Sequence, residues 1–73
     1  MKEPVYRQLG AKIEAIRTTL GWTQGELATK VGLTRCSITN IEAGRQRIQL
    51  HVVEKIAGAF GTTTKQLMKG IWF

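Results

Sequence analysis

The chain has few of the residues that stabilise small domains through disulfides or metal ions. Its 73 residues include one cysteine, one histidine and no aspartate. One cysteine cannot form a disulfide within the chain, and one Cys with one His is too few for a zinc site. No Gly-rich phosphate loop is present, and no Ser or Cys lies in a motif that would pair it with His51. The composition therefore predicts no metal, no cofactor and no enzyme. His51 is interpreted as a surface residue, with a phosphate contact as the alternative.

Long apolar segments are also missing. The N-terminal sequence MKEPVYRQLG has no apolar run of the kind that a secretory signal contains. No stretch approaches the ~18 consecutive apolar residues that a membrane span requires. With the single cysteine, these absences favour a reducing, intracellular setting. We therefore expect one cytoplasmic domain over residues 1–73, with no membrane partner.

The charge is strongly unbalanced for so small a chain. Eleven Lys and Arg residues face five glutamates, which gives a formal net charge of +6. Such a balance favours a polyanionic partner, with nucleic acid ahead of an anionic membrane surface. A basic surface without a specific partner is the alternative that charge alone leaves open.

Proline and glycine lie where helices would begin and end. Pro4 suits the first position of a helix, and apolar residues follow it at steps of three and four; they are Tyr6, Leu9, Ile13, Ile16 and Leu20. Five glycines follow the predicted ends of five helices, where a left-handed residue is common; they are Gly21, Gly32, Gly44, Gly61 and Gly70. No strand pattern competes, so the prediction is an all-α fold of five short helices.

Hydroxyl residues mark the starts of three of these helices. Thr23 with Glu26, and Thr63 with Gln66, have the spacing of capping boxes, and Thr34 is a good N-cap. The second helix is predicted over residues 24–31 and the fifth through Leu67 and Met68. The apolar residues of the fourth helix are Leu50, Val53, Ile56, Ala57 and Phe60. Gly10, Gly25 and Gly58 fall inside helices, and close helix packing is suggested only for Gly58.

The second and third helices are separated only by Gly32, Leu33 and Thr34, which predicts a helix-turn-helix unit over about residues 23–44. The segment TQGELATKVGLTRCSITNIEAGRQRI, followed by IAGAFGTTTKQL, resembles the lambda-repressor/Cro-like (Xre-type) helix-turn-helix family over about residues 8–69. The resemblance implies a compact five-helix lambda-repressor-like domain whose third helix enters the major groove of double-stranded DNA. The chain has Ile48–Gln49 where the family often has Pro-Ser, so the cap of the fourth helix is not predicted.

The third helix has one side that is short, polar and basic. At about 100° per residue, Ile38 and Ile41 share one side, and the other side faces outward. Arginine can bind guanine, asparagine can bind adenine, and threonine or cysteine can contact a thymine methyl. The predicted base-contacting residues are Arg35, Cys36, Thr39 and Asn40. An ordinary solvated helix face is the alternative; for Cys36, a small packing residue or a redox-sensitive group is also considered.

Other residues are predicted to contact phosphate or to hold the domain together. The resemblance implies a phosphate contact by Gln24, where helix N–H groups also attract an anion; a solvent-facing Gln is the alternative. Arg45, Gln46 and Arg47 suit phosphate contacts beside the third helix, or idle surface charge. Ser37 is assigned either to phosphate or to its own helix cap. The resemblance also implies a structural ion pair between Arg17 and Glu42.

The C-terminal sequence is unusually apolar. Residues 62–73 are predicted to form a homodimer interface, because an exposed apolar patch usually marks a contact surface; its members would be Leu67, Met68, Ile71, Trp72 and Phe73. A tail that completes the core is the alternative. The expected function is a transcription regulator, either a repressor or an autoregulator, that binds a palindromic operator as a homodimer without a small-molecule ligand. The competing hypothesis is an antitoxin-type module that neutralises a protein toxin.

Overall fold

A computed structural model describes residues 4–69, and every regular element in this part of the chain is a helix, without a strand. The helices are α1 (Pro4–Thr19), α2 (Gln24–Val31), α3 (Arg35–Glu42), α4 (Leu50–Ala59) and α5 (Thr64–Leu67). The prediction of an all-α, five-helix domain is confirmed. No helix among the described residues is long and apolar enough to cross a membrane.

Side-chain caps begin three of the helices, as the sequence predicts. The Thr23 hydroxyl accepts from the Glu26 N–H, and the Glu26 carboxylate accepts from the Thr23 N–H at 2.7 Å, which completes a capping box. The hydroxyls of Thr34 and Thr63 likewise accept backbone N–H groups at the starts of α3 and α5. The return bond from the Thr63 N–H to the Gln66 side chain is not formed, so only the first of the two predicted capping boxes is complete. Gln49 precedes α4 and makes no side-chain cap bond. The fourth helix therefore begins without the capping hydrogen bond that the other short helices have.

Glycine ends four helices in the left-handed conformation. The φ angles of Gly21, Gly32, Gly44 and Gly61 lie between 72° and 78°. At such angles a Cβ would approach the following carbonyl, so glycine is strongly preferred. Four of the five predicted helix stops are confirmed, and Gly70 lies outside the described residues.

The core is formed where the apolar sides of the helices meet. α3 packs against both α1 and α2, α2 also packs against α4, and α5 closes the other end against α4 and α1. The buried apolar residues are Leu9, Ile13, Leu27, Ala28, Val31, Ile38, Ile41, Ile48, Val53, Ile56, Ala57 and Leu67. Beside this cluster the ring of Trp22 lies 5.8 Å from that of Phe60. Thus α3 is supported from two directions.

Two residues of the predicted apolar stripes are exposed instead. Leu20 follows the last residue of α1 and is 46% exposed, and Leu50 is 65% exposed. Leu50 is the first residue of α4, and that helix enters the core only from Val53 onward. Periodicity therefore identifies which face of a helix is apolar, but it does not show which turns of that face are buried by neighbouring helices.

Two glycines allow α1 to lie unusually close to the end of α3. A Cβ on Gly10 would lie 2.8 Å from the Glu42 carbonyl oxygen and closer still to that of Ile41. A Cβ on Gly44 would lie 2.8 Å from the Cα of Arg7. The suggestion of close packing at Gly58 is wrong, because no atom beyond its chain neighbours and the backbone of α4 lies within 4 Å of a Cβ built there. The tight contact is between α1 and α3, which no local pattern indicates.

The fifth helix is held to the first by both apolar and polar contacts. Leu67 is buried in the core, and the Lys12 Nζ donates to the carbonyl oxygen of Lys69 at 2.7 Å. Because Leu67 is 1% exposed, its assignment to a dimer surface is wrong in this structure: its side chain is used inside the domain. Met68 is half-buried, and Ile71, Trp72 and Phe73 lie outside the described residues.

Candidate nucleic-acid interface

The connection between α2 and α3 is a tight turn that fixes the angle between them. Gly32 adopts φ 72°, and the Leu33 N–H donates to the Ala28 carbonyl oxygen at 2.9 Å. Thr34 then caps α3 through its hydroxyl. Since every step of this turn is held by a backbone or capping bond, α3 leaves α2 in one direction, with its outer face uncovered.

The two sides of α3 differ in the way that the sequence predicts. Ile38 and Ile41 are 0% and 1% exposed, so the helix is anchored from behind by two apolar side chains. On the other side, Arg35 and Cys36 are exposed, and Thr39 and Asn40 are half-buried. The four predicted base-contacting residues therefore share a single accessible face.

A chain of hydrogen bonds links the buried side of α3 to this face. Arg17 Nε and Nη2 donate to the Glu42 carboxylate at 2.6 and 3.2 Å, and Arg17 Nη1 donates to the Trp22 carbonyl oxygen at 2.5 Å. Gln24 Nε2 donates to Glu42 Oε1 at 2.9 Å, and Thr39 Oγ1 donates to Gln24 Oε1 at 2.8 Å. The structure thus places the expected Arg17–Glu42 pair in contact and adds Gln24 and Thr39 to it.

This network changes the interpretation of Gln24. The sequence predicts a phosphate contact or a solvent-facing side chain, but both polar ends of the amide bond other residues of the domain. Two donors of Gln24 remain: the second hydrogen of its Nε2 and its backbone N–H, which is the first N–H of α2. No sequence pattern indicates this role, because Gln24 and Glu42 are brought together only by the packing of α2 against α3.

Asn40 also has partners within the domain. Its Oδ1 accepts from Arg45 Nη1 at 3.3 Å, and its Nδ2 lies 3.7 Å from the sulfur of Cys36. Asn40, which is predicted to contact a base, and Arg45, which is predicted to contact phosphate, are therefore neighbours. Both bonds are long and solvent-exposed, so an adenine edge or a phosphate could replace them at little cost.

Comparison with known families decides what kind of domain this is. A profile described as "Helix-turn-helix" matches residues 13–67, which is most of the chain. The chain belongs to the helix-turn-helix family. The predicted lambda-repressor/Cro-like fold is confirmed, and α2, the turn and α3 form the helix-turn-helix motif.

Relatives of this helix-turn-helix domain are named as transcription factors and repressors. A hypothetical transcription factor of Neisseria meningitidis is 37% identical over 60 residues, which are 82% of this chain and 57% of that protein. The immunity repressor protein of Bacillus phage phi105 is 40% identical over 53 residues, 73% of this chain and 37% of that protein. The chain thus spans about half or less of these relatives. A crystal structure of the hypothetical transcription factor NHTF from Neisseria superimposes with a TM-score of 0.82 at 34% identity, covering 88% of this chain and 74% of that one.

The remaining predicted contact residues surround the helix-turn-helix motif. Ser37 takes part in the cap of its own helix, since its N–H and its hydroxyl both bond the Thr34 hydroxyl, at 3.0 and 3.1 Å. Arg45, Gln46 and Arg47 are all exposed in the segment between α3 and α4. They directly follow α3, the second helix of the helix-turn-helix motif.

One basic residue beside the motif is missed by the sequence analysis. Arg7 is exposed on α1, and its Cα lies against Gly44, one residue before Arg45. Within residues 4–69 its guanidinium makes no hydrogen bond or ion pair. The signal that would have found it is the pair Gly10 and Gly44, which marks the crossing of α1 and α3 but looks like two unrelated glycines in the sequence.

Proposed function

We propose that this helix-turn-helix domain is a sequence-specific regulator of transcription, a repressor or an autoregulator, that binds double-stranded DNA with α3 in the major groove. The observation that carries the proposal is the accessible face of Arg35, Cys36, Thr39 and Asn40 on a helix whose back is buried. A slim polar face of this kind fits a groove about 12 Å wide. The names of the relatives, which include an immunity repressor, support the same function.

Arg35 is the strongest base-reading candidate. It is the first residue of α3, is exposed, and its guanidinium makes no hydrogen bond or ion pair within the described residues. Arginine at the start of a recognition helix can donate two parallel hydrogen bonds to guanine, which is the commonest specific contact in the major groove. Guanine is therefore the base we expect opposite the N-terminal end of α3.

The charges around α3 supply the part of the affinity that does not depend on sequence. Arg45 and Arg47 follow α3, and Arg7 adjoins the same segment from α1. Contacts of these side chains with phosphate would fix the orientation of the domain, together with Gln46, Ser37 and the N-terminal end of α2 at Gln24. The formal net charge of +6 favours association with a polyanion in general.

We further propose that the protein acts as a homodimer on a palindromic operator. A two-fold dimer would place two α3 helices about 34 Å apart, which matches one turn of DNA. We assign this contact to the half-buried Met68 and, from the sequence alone, to the apolar residues Ile71, Trp72 and Phe73, which lie outside the described residues. Sedimentation of the full-length protein should give twice the monomer mass, and replacing all three residues 71–73 by serine should return it to the monomer. An unchanged mass would reject this surface.

The DNA-binding proposal is tested by fluorescence anisotropy with a random duplex and with duplexes selected from a random pool. The affinity should fall with salt, with a log–log slope of about −0.9 for each phosphate contacted. Selected duplexes should bind at least about a thousandfold more tightly than random DNA, as specific sites usually do. If no duplex binds, the protein-interaction hypothesis replaces this one, and a protein toxin becomes the expected partner.

A further inference from the structure

The hydroxyl of Thr39 is already committed to the protein. Its Oγ1 lies 2.8 Å from Gln24 Oε1 and 3.0 Å from the carbonyl oxygen of Arg35, one turn earlier in α3. Both neighbours are acceptors, and a hydroxyl has one proton to donate. Whichever of the two receives it, the proton is directed into the domain and not toward a ligand of the outer face.

The orientation of the Gln24 amide follows from its other partner. Gln24 Nε2 lies 2.9 Å from Glu42 Oε1, and this carboxylate is held by Arg17. A carboxylate paired with arginine can only accept, so the nitrogen of the amide must face Glu42 and the oxygen must face Thr39. An amide oxygen cannot donate, which leaves Thr39 as the donor in the bond between them.

Because the Thr39 hydroxyl donates within the domain, the methyl group is the part of this side chain that remains for a contact with DNA. We propose that Thr39 reads DNA through this methyl by contacting the C5-methyl of a thymine, and that Gln24 is the positioning residue that withholds the hydroxyl. Thymine is the base that presents an apolar group in the major groove. Guanine O6 and N7 and thymine O4 all require a donor, and Thr39 has none to offer. The inference deepens the proposed function and rests on it.

The test uses the duplex selected by the full-length protein and replaces each thymine, one at a time, by deoxyuridine. This change removes only the C5-methyl. We expect one thymine in each half-site whose replacement weakens binding about fourfold, the change expected for one buried methyl group. If no thymine behaves in this way, Thr39 does not read a methyl group and the proposal is overturned.

Two variants of Thr39 separate the methyl from the hydroxyl. Thr39→Val keeps a methyl and lacks the hydroxyl, so it should retain the penalty for deoxyuridine at that position. Thr39→Ser keeps the hydroxyl and lacks the methyl, so it should bind the thymine and deoxyuridine duplexes equally. Thermal melting of each variant confirms that it is folded. The opposite pattern, with the preference lost in Thr39→Val and kept in Thr39→Ser, would show that the hydroxyl accepts from an adenine or cytosine amine and would overturn the proposal.

The role of Gln24 is tested by Gln24→Met, which keeps the length of the side chain and removes both the acceptor for Thr39 and the donor to Glu42; thermal melting confirms that the variant is folded. In this variant the Thr39 hydroxyl keeps only the longer of its two bonds, that to the Arg35 carbonyl oxygen, and is less firmly turned away from the DNA. The preference at the base pair that Thr39 contacts should therefore fall severalfold, while preferences at the other positions of the duplex stay within twofold. An equal loss at every position would show that Gln24 contributes only to general affinity, which contradicts its assignment as a positioning residue. If the wild-type protein binds no duplex, the proposed function fails with this inference; selective binding without a deoxyuridine effect removes this inference alone.

Discussion

Arg17 of α1 and Glu42 of α3 form a buried ion pair although they are 25 positions apart in the chain. Each residue is 8% exposed, and Glu42 also accepts from Gln24. Removing one partner from such a pair leaves the other charge in a poorly hydrated site, whereas removing both leaves no charge behind. The pair therefore fixes the position of α3 on α1, and a single substitution costs more than a double one.

We expect Glu42→Ala to lower the free energy of unfolding by about 3–5 kcal/mol, because Arg17 stays buried without its partner. Urea denaturation measures the change. The double variant Arg17→Met with Glu42→Leu should recover most of this loss. Glu54→Ala, at an exposed site, is the control and should alter stability by no more than about 0.5 kcal/mol. A double variant that is as unstable as Glu42→Ala would contradict this account.

Gly10→Ala should destabilise the domain by about 1–3 kcal/mol or more, the usual cost of forcing an atom into a packed site. The added Cβ meets the carbonyl oxygens of Ile41 and Glu42, which are backbone atoms and cannot move aside independently of α3. Gly58→Ala is the matched control, since it lies inside α4 and a Cβ there would have no atom within 4 Å beyond its chain neighbours and the backbone of its own helix. There the same change should raise stability by up to about 1 kcal/mol. Thermal melting of both variants under the same conditions gives the comparison, and similar melting temperatures would refute the close crossing.

Arg45→Ala should reduce the slope of log affinity against log salt by about 0.9 for every duplex tested, if Arg45 neutralises one phosphate. Lys65→Ala is the matched control: it removes the same charge from an exposed position of α5, which packs mainly on α4 and α1. Its slope should stay close to that of the wild type. Anisotropy titrations at four salt concentrations measure both. Equal changes in the two variants would mean that only net charge matters.

Arg35→Lys should keep the charge of the recognition helix but lose discrimination at a single base pair. A lysine ammonium cannot make the planar pair of hydrogen bonds that a guanidinium makes to guanine O6 and N7. We expect a loss of about 1–3 kcal/mol for the selected duplex and little change for random DNA. Competition binding against duplexes that are substituted at each position identifies the base. A loss that is the same for random DNA would instead assign Arg35 to phosphate.

Local chemistry explains how much of the fold could be predicted. The capping box at Thr23, the caps at Thr34 and Thr63, and the left-handed glycines each depend on a few neighbouring residues, so the sequence displays them directly. The buried back of α3 follows from the spacing of Ile38 and Ile41 in the same way. Exposure at helix ends does not follow from spacing. Leu50 has the correct period and still faces solvent, because burial of a helix end depends on how far the neighbouring helices extend.

The site was less predictable where it depends on tertiary contacts. Arg35 and Cys36 could be placed on the outer face from the helical period alone. The bonds of Gln24 to Glu42 and Thr39 join three helix positions that are 15 and 18 residues apart, and no spacing rule indicates them. The same is true of Arg7, which reaches the α3–α4 segment only because Gly44 lies against its backbone. Burial of Leu67 removed one predicted interface residue for a similar reason.

The bonds from Arg17 through Glu42 and Gln24 to Thr39 have a consequence for engineering new specificities. A recognition helix moved alone into another scaffold would carry Thr39 without the groups that set the direction of its hydroxyl. Transplantation would therefore have to include residues of α1 and α2 to reproduce the orientation of the Thr39 side chain. A library that randomises only the exposed positions of α3 leaves Gln24 and Glu42 constant. These constant residues then partly decide how the varied side chains are oriented.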